Sequence, residues 1–239
     1  MTSTDDNFRF WNFDFGLIQL AQKVDTYIDL HTHHQDSAAD VTPVYNLMLN
    51  EICALPSGLF SAGLHPWYAD QLSPDALSLQ LDQLAANPNM VSVGETGLDK
   101  VCAVPFQLQQ DIFKLHLQKA VEKNKPVILH CVKAWDEMIE IVSGYRLTGI
   151  LHGYSGSLEL TRRLLDKGFC FSVGKAILDP KSKIHRSIQE IPLTSLFCET
   201  DDSEISIQAI YEGVGAVLKM KTEDLRAAIL DNFVRVRSA

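Results

Sequence analysis

The sequence predicts one α/β domain folded as a (β/α)8 TIM barrel, and three observations carry that expectation. Eight short apolar or β-rich runs recur along the 239 residues. Most of them are separated by stretches of helical periodicity, the alternation a parallel sheet requires. Metal-ligand residue types fall at the ends of the runs, where a barrel gathers its active site. A hydrophobic content of 46% fits one large soluble domain, assigned to residues 26–239.

In chain order the runs are Thr26 to Leu30, Val44 to Leu49, Leu59 to Leu64, Met90 to Gly94, Pro126 to His130, Gly149 to His152, Phe169 to Val173 and Ser195 to Cys198. Helical stretches lie at Pro74 to Ala86, Pro105 to Asn124, Ala134 to Ser143, Ser157 to Lys167 and Ser206 to Lys219. The linker between the second and third runs is short and weakly helical. Ser73 before Pro74 is an N-cap with proline at the first helical position, where a missing N–H costs nothing. Ser157 opens a helix that ends at Lys167-Gly168, and Thr222 opens the last one with Glu223 and Asp224 in its first turn. A doubly wound open sheet is the structural rival, but no G-x-G-x-x-G or P-loop pattern supports it. Residues 1–25, with Phe8, Phe10, Trp11, Phe13 and Phe15, are expected to form an extra helix or arm packed on the barrel bottom.

Composition excludes several classes. No apolar run approaches the roughly 20 residues of a membrane span, and the start lacks a basic n-region, so a cytoplasmic protein without a membrane partner is expected. Five cysteines without CxxC spacing indicate neither a disulfide framework nor a zinc–thiolate site. A net charge of −9 argues against a surface that coats nucleic acid, which needs many Lys and Arg contacts to phosphate. Nucleic-acid chemistry would have to be local, with bound cations meeting the phosphate.

The chemistry sits at the run ends. In Asp29-Leu30-His31-Thr32-His33 the strand period of two sends His31 and His33 to one side, where two imidazoles can share an ion, while His34 faces the other way. An HxH alone is also compatible with ordinary core or surface histidines. Glu95, in VSVGETGLD, closes the fourth run, and each of its oxygens can serve a different ion. Its bland alternative is a loop glutamate paired with a cation. Gly94 and Gly97 around it predict a tight turn. His130 in PVILHCV and His152 in GILHGYSG occupy equivalent positions at the ends of the fifth and sixth runs. A lone strand-end histidine is more often structural, but two alongside HxH and Glu95 are hard to ascribe to packing. Asp201, in LFCETDDS, can bind an ion and accept a proton, and one of Glu199, Asp201 and Asp202 is expected to be a solvated charge. The six ligands suffice for two divalent ions sharing Glu95, with Mg, Mn, Zn or Co all compatible with nitrogen and oxygen donors.

These motifs, together with AGLHPW, the segment QLQQDIFKLHLQKAVEKNKPVILHCV, LLDKGFCFSVG and the closing DNF, resemble the TatD family of metal-dependent deoxyribonucleases, amidohydrolase-like barrels. The resemblance spans Tyr27 to Phe233. It implies that His31, His33, Glu95 and Asp201 hold one ion and Glu95, His130 and His152 the other, with Glu95 and Asp201 at the catalytic centre. It places His65 on the substrate side, a structural role before Pro66 being the alternative. The sequence departs from the family pattern at Lys100-Val101, where an aromatic pair is usual. It departs again at Val132-Lys133, where an Arg is usual, and after Asp201, where a Pro-containing stretch is usual. Lys100 and Lys133 are either substitute phosphate contacts or solvated lysines.

The expected activity is hydrolysis of phosphodiester bonds at DNA ends. Two readings compete with it: a metallohydrolase for ester or amide bonds on the same ligands, and a non-catalytic barrel that binds through its N-terminal aromatics.

Overall fold

Eight strands hydrogen-bond in chain order, and every neighbouring pair is parallel. They are β1 (Tyr27–Thr32), β2 (Val41–Met48), β3 (Leu59–Gly63), β4 (Met90–Asp99), β5 (Val127–Val132), β6 (Gly149–Leu151), β7 (Cys170–Val173) and β8 (Leu196–Cys198). This is a computed structural model describing residues 26–35, 37–52 and 54–238. A parallel bridge between Thr32 and Asp201 joins the last strand to the first. The Asp201 N–H donates to the His31 carbonyl at 2.9 Å and the His33 N–H to the Asp201 carbonyl at 3.0 Å. The TIM barrel expected from the sequence is thus closed at its C-terminal rim, by residues that the sequence singles out as ligands.

Continuous apolar runs make these strands because parallel barrel strands are covered on both faces. Ile28, Phe60, Ile128, Ile150, Phe171 and Phe197 are fully buried. Helices α1 (Pro74–Ala85), α2 (Phe106–Glu122), α3 (Trp135–Val142) and α4 (Leu158–Leu165) follow β3, β4, β5 and β6. After β7 come short 3-10 turns and a one-turn helix, α5 (Ile184–Ser187); α6 (Ile207–Leu218) and α7 (Thr222–Ser238) follow β8. The expected caps form: Ser73 Oγ accepts the Ala76 N–H, Ser157 Oγ that of Leu160, and Ser206 Oγ that of Ala209.

Three expectations need correction. Among the described residues no helix follows β1 or β2, so the first two units are strand and loop only. β2 begins at Val41 rather than Val44. β4 runs on to Asp99 with all ten residues buried, so Glu95 lies inside the strand instead of closing it. Gly94 (φ 118°) and Gly97 (φ 152°) make no turn. Register shifts between Val93 and Thr96, and a side chain at Gly94 or Gly97 would collide with the backbone of Ile128 or His130 on β5. The glycines let a bulged strand press against its neighbour.

The N-terminal arm proposed for residues 1–25 lies outside the described residues. No helix among those described is long and apolar enough to cross a membrane. Cys102, Cys131, Cys170 and Cys198 are free thiols, the last three on strands.

Candidate metal centre

The barrel rim brings together residues far apart in the chain because each lies in the C-terminal half of its strand or just past it. His31 is on β1, His33 one residue past it, Glu95 on β4, His130 on β5, His152 one residue past β6, and Asp201 in the turn after β8. Among the described residues, three sets place one donor atom per residue within 4.8 Å of each other: His31, His33 and Asp201; His31, Glu95 and His152; His65, Glu95 and His130.

Glu95 is the hub. Its Oε1 lies 2.9 Å from His130 Nδ1, 2.8 Å from His152 Nε2 and 3.2 Å from His65 Nε2. Its Oε2 lies 3.3 Å from His31 Nε2. Asp201 Oδ1 is 3.7 Å from His31 Nε2 and 3.6 Å from His33 Nε2. A mouth cavity of about 260 Å³ opens over this cluster, with Trp67, Tyr68 and Met48 on its wall.

Several residues that sequence reasoning missed hold the hub in place. Asn46, mid-strand on β2, donates from Nδ2 to Glu95 Oε2 at 3.2 Å and accepts the Glu95 N–H at 3.1 Å, while Ser61 on β3 donates to the same Asn46 oxygen at 3.3 Å. Glu199 is fully buried, takes the Gly153 N–H, and stands 3.5 Å from His152 Nδ1. Asp99 Oδ2 accepts the Trp67 indole N–H at 2.7 Å and stands 3.5 Å from His130 Nε2. His130 and His152 therefore each have a carboxylate behind them, on the nitrogen turned away from Glu95. Asp29 accepts the Thr200 N–H at 2.9 Å and the Thr200 hydroxyl at 2.6 Å, which fixes the turn that presents Asp201.

The electrostatics suit a cation. Burial alone would push Glu95 up; the histidines around it, His152 foremost, outweigh burial and hold the carboxylate well below its ordinary range. Burial would likewise push His152 down, yet Glu95 and Glu199 hold it well above an ordinary imidazole. The field that keeps a proton there is one a metal ion would satisfy in its place. Burial lowers His33 and His65 and raises Asp201, and it raises Asp29 to about 7. Both ring nitrogens of His31 are buried without a hydrogen-bond partner, one of them facing Glu95 and Asp201. That orphaned donor atom, among oxygen and imidazole ligands without thiolate, fits a divalent cation.

The remaining residues divide. Of the acidic triplet, Asp202 is the exposed charge, paired with Lys175 at 2.9 Å, and Glu199 is the most buried. His34 lines a separate hollow beside Ser203 to Gln208, away from the cluster. Lys100 and Lys133 are not brought to the mouth cavity. They line a neighbouring hollow above α3 and α4, where Lys100 pairs with Glu137.

A parallel barrel with histidines and carboxylates converging at its C-terminal rim is an architecture of metal-dependent hydrolases. The chain belongs to the TatD family: the model for TatD related DNase matches residues 45–237. It is similar to the metal-dependent hydrolases YjjV of Escherichia coli (35% identical over 150 residues, 61% of this chain and 58% of that protein) and BU355 of Buchnera aphidicola (31% over 166 residues, 65% and 62%). Those matches cover about three fifths of each relative. The match to YcfH of Escherichia coli is longer, 28% over 218 residues, covering 84% of this chain and 81% of YcfH. Among solved structures, the TatD homologue YjjV from Escherichia coli superposes with a TM-score of 0.76 at 26% identity, over 90% of this chain and 99% of that one. A TatD family hydrolase from Entamoeba histolytica shares the fold, with a TM-score of 0.74 at 14% identity over 89% of this chain and 98% of that one.

Proposed function

We propose that the chain is a two-ion phosphodiesterase that trims DNA ends. His31, His33, Glu95 and Asp201 would hold one ion, and Glu95, His130 and His152 the other. The observation that carries this reading is the division of labour at Glu95, whose Oε2 faces His31 while its Oε1 faces His130 and His152. A carboxylate so placed could serve both ions. When bound, such a pair supplies an activated water and neutralises phosphate charge, and the native metal would be Mg, Mn, Zn or Co.

The chain's own residues do the rest. The Asp201 carboxylate, half-buried at the mouth, accepts the proton that water gives up as it attacks. Asn46 and Ser61 hold Glu95 against rotation, so its two oxygens keep separate roles. Tyr68, Trp67 and Met48 line one side of the cavity and give a substrate an apolar wall to rest against.

The test is cleavage of end-labelled single- and double-stranded DNA with each metal. The reading predicts metal-dependent release of nucleotides from an end, and turnover abolished in Asp201→Asn with metal still bound. Cleavage by the variant at the wild-type rate would refute the role of Asp201.

A second reading, hydrolysis of an ester or amide, is favoured by one observation: among the described residues, those lining the mouth cavity include neither Lys nor Arg. A panel of acyl esters and amides beside the DNA substrates separates the two, since a phosphodiesterase leaves the acyl compounds intact.

A further inference from the structure

We propose that Gln109, on α2, is a positioning residue of the metal centre: it locks the end of β4 so that the Asp99 carboxylate stays behind His130, and through that carboxylate it sets how tightly the ion beside His130 and His152 is held. The proposal rests on the two-ion reading for that ion. It adds a helix residue whose side-chain hydrogen bonds run to Asp99, Cys102 and Val104, outside the ligand cluster.

β4 outruns its neighbour on one side. Its pairing with β3 stops at Val93, opposite Ala62, whereas its pairing with β5 continues to Asp99, opposite Val132. The Lys100 N–H donates to the Val132 carbonyl at 3.1 Å, so the alternation of an extended chain turns the N–H and C=O of Asp99 to the other edge, where the β3 ladder has already ended. Buried main-chain groups must find partners, and one side chain takes both. Gln109 Oε1 accepts the Asp99 N–H at 2.8 Å, and Gln109 Nε2 donates to the Asp99 carbonyl at 3.0 Å. The second proton of Nε2 goes to the Val104 carbonyl at 2.8 Å, which ties down the far end of the loop after β4. A primary amide carries one carbonyl and two N–H bonds in one plane, and here all three are used at 1% exposure. Gln109 thus stands in for the missing strand at the point where Asp99 needs one.

The clamp holds a carboxylate whose two oxygens have separate partners. Asp99 Oδ1 accepts the Val101 N–H at 2.7 Å. Asp99 Oδ2 accepts the Trp67 indole N–H at 2.7 Å and stands 3.5 Å from His130 Nε2. That last distance is the outer limit of a hydrogen bond, so a small shift of the Asp99 backbone decides whether the carboxylate supports the ring or leaves it. A carboxylate behind a ligand imidazole is worth about 10- to 100-fold in metal affinity. Gln109 therefore reaches the ion through two links, Asp99 and His130.

The test uses the full chain. Gln109→Met keeps the length of the side chain and removes its amide. When metal-free protein is titrated with Mn²⁺, one of two sites should weaken about tenfold in Gln109→Met while the other keeps its wild-type affinity. Two unchanged sites, or two weakened alike, would overturn the proposal. Because Gln109 acts through Asp99, the double variant with Asp99→Asn should lose no more affinity than Asp99→Asn alone; a loss equal to the product of the two single losses would overturn it. Two readouts need no metal. The Trp67 indole N–H resonance should move upfield in Gln109→Met as its bond to Asp99 weakens, and an unmoved resonance would count against the clamp. In the wild type, which stays informative even if Gln109→Met fails to fold, the Asp99 amide should exchange with solvent as slowly as that of Leu98, and fast exchange would overturn the proposal. A wild-type protein that binds a single Mn²⁺, or none, sinks the two-ion reading, while the indole resonance and the amide exchange still decide whether Gln109 holds Asp99.

Discussion

His130 and Lys133 leave the same strand end three residues apart, yet they belong to different worlds. His130 points into the barrel, with Glu95 on one ring nitrogen and Asp99 behind the other. Lys133 sits exposed in a left-handed backbone conformation and lines a hollow beside Lys100, Trp135 and Arg163. Position on the strand decides the difference: the ladder holds a residue to its neighbours through register, and a loop beyond it does not. The inner cluster should therefore respond steeply to small changes, and the outer rim hardly at all.

The steepest response is expected at Glu95. Glu95→Gln keeps the shape and removes the charge shared by both histidine sets, so activity should fall by about 10³-fold or more, with loss of bound metal measured on the purified variant. Undiminished metal content would break the contrast at its centre.

A second test compares two buried histidines. His152 lies between carboxylates, whereas His116 accepts the Leu64 N–H at 2.9 Å and donates to the Ile112 carbonyl at 2.8 Å. Burial lowers the His116 pKa from 6.5 to about 4. The unfolded imidazole takes a proton as pH falls through 6.5 and the folded one does so only near 4, so stability contributed by neutral His116 is lost as pH drops across that window. The loss should approach about 3 kcal/mol, read from denaturant melts between pH 7 and pH 4, and His116→Gln should lack that component. Identical pH slopes in the two proteins would contradict the assignment.

Smaller effects are expected from the carboxylates behind the ligands. Glu199→Gln and Asp99→Asn should each weaken metal binding by about 10- to 100-fold in competition titrations while the fold persists. Smallest of all, Lys100→Ala or Lys133→Ala should change KM for DNA less than about threefold, because exposed ion pairs contribute little. A tenfold rise in KM would move the substrate path out over that rim.

The same contrast explains what could be read from the chain alone. His31, His33, Glu95, His130, His152 and Asp201 were legible because each follows an apolar run, and barrel strands share one rim. Asn46 was not: it sits mid-run in VYNLM, and its bond to Glu95 exists only once β2, β3 and β4 are in register. Asp99 was hidden because Gly94 and Gly97 look like a turn, while the strand in fact continues past them. Glu199 was lost in an acidic triplet whose three members differ only in burial, a property fixed by tertiary packing. Asp201 reaches the rim although the strand itself stops at Cys198, because the bridge to Thr32 carries it back.

The central claim is that one carboxylate divides two ions between two groups of histidines. Anomalous diffraction from crystals soaked in Mn²⁺ tests it most directly. Two peaks should flank Glu95, one beside His31, His33 and Asp201 and the other beside His130 and His152. A single peak, or one seated on His65 Nε2, would contradict it.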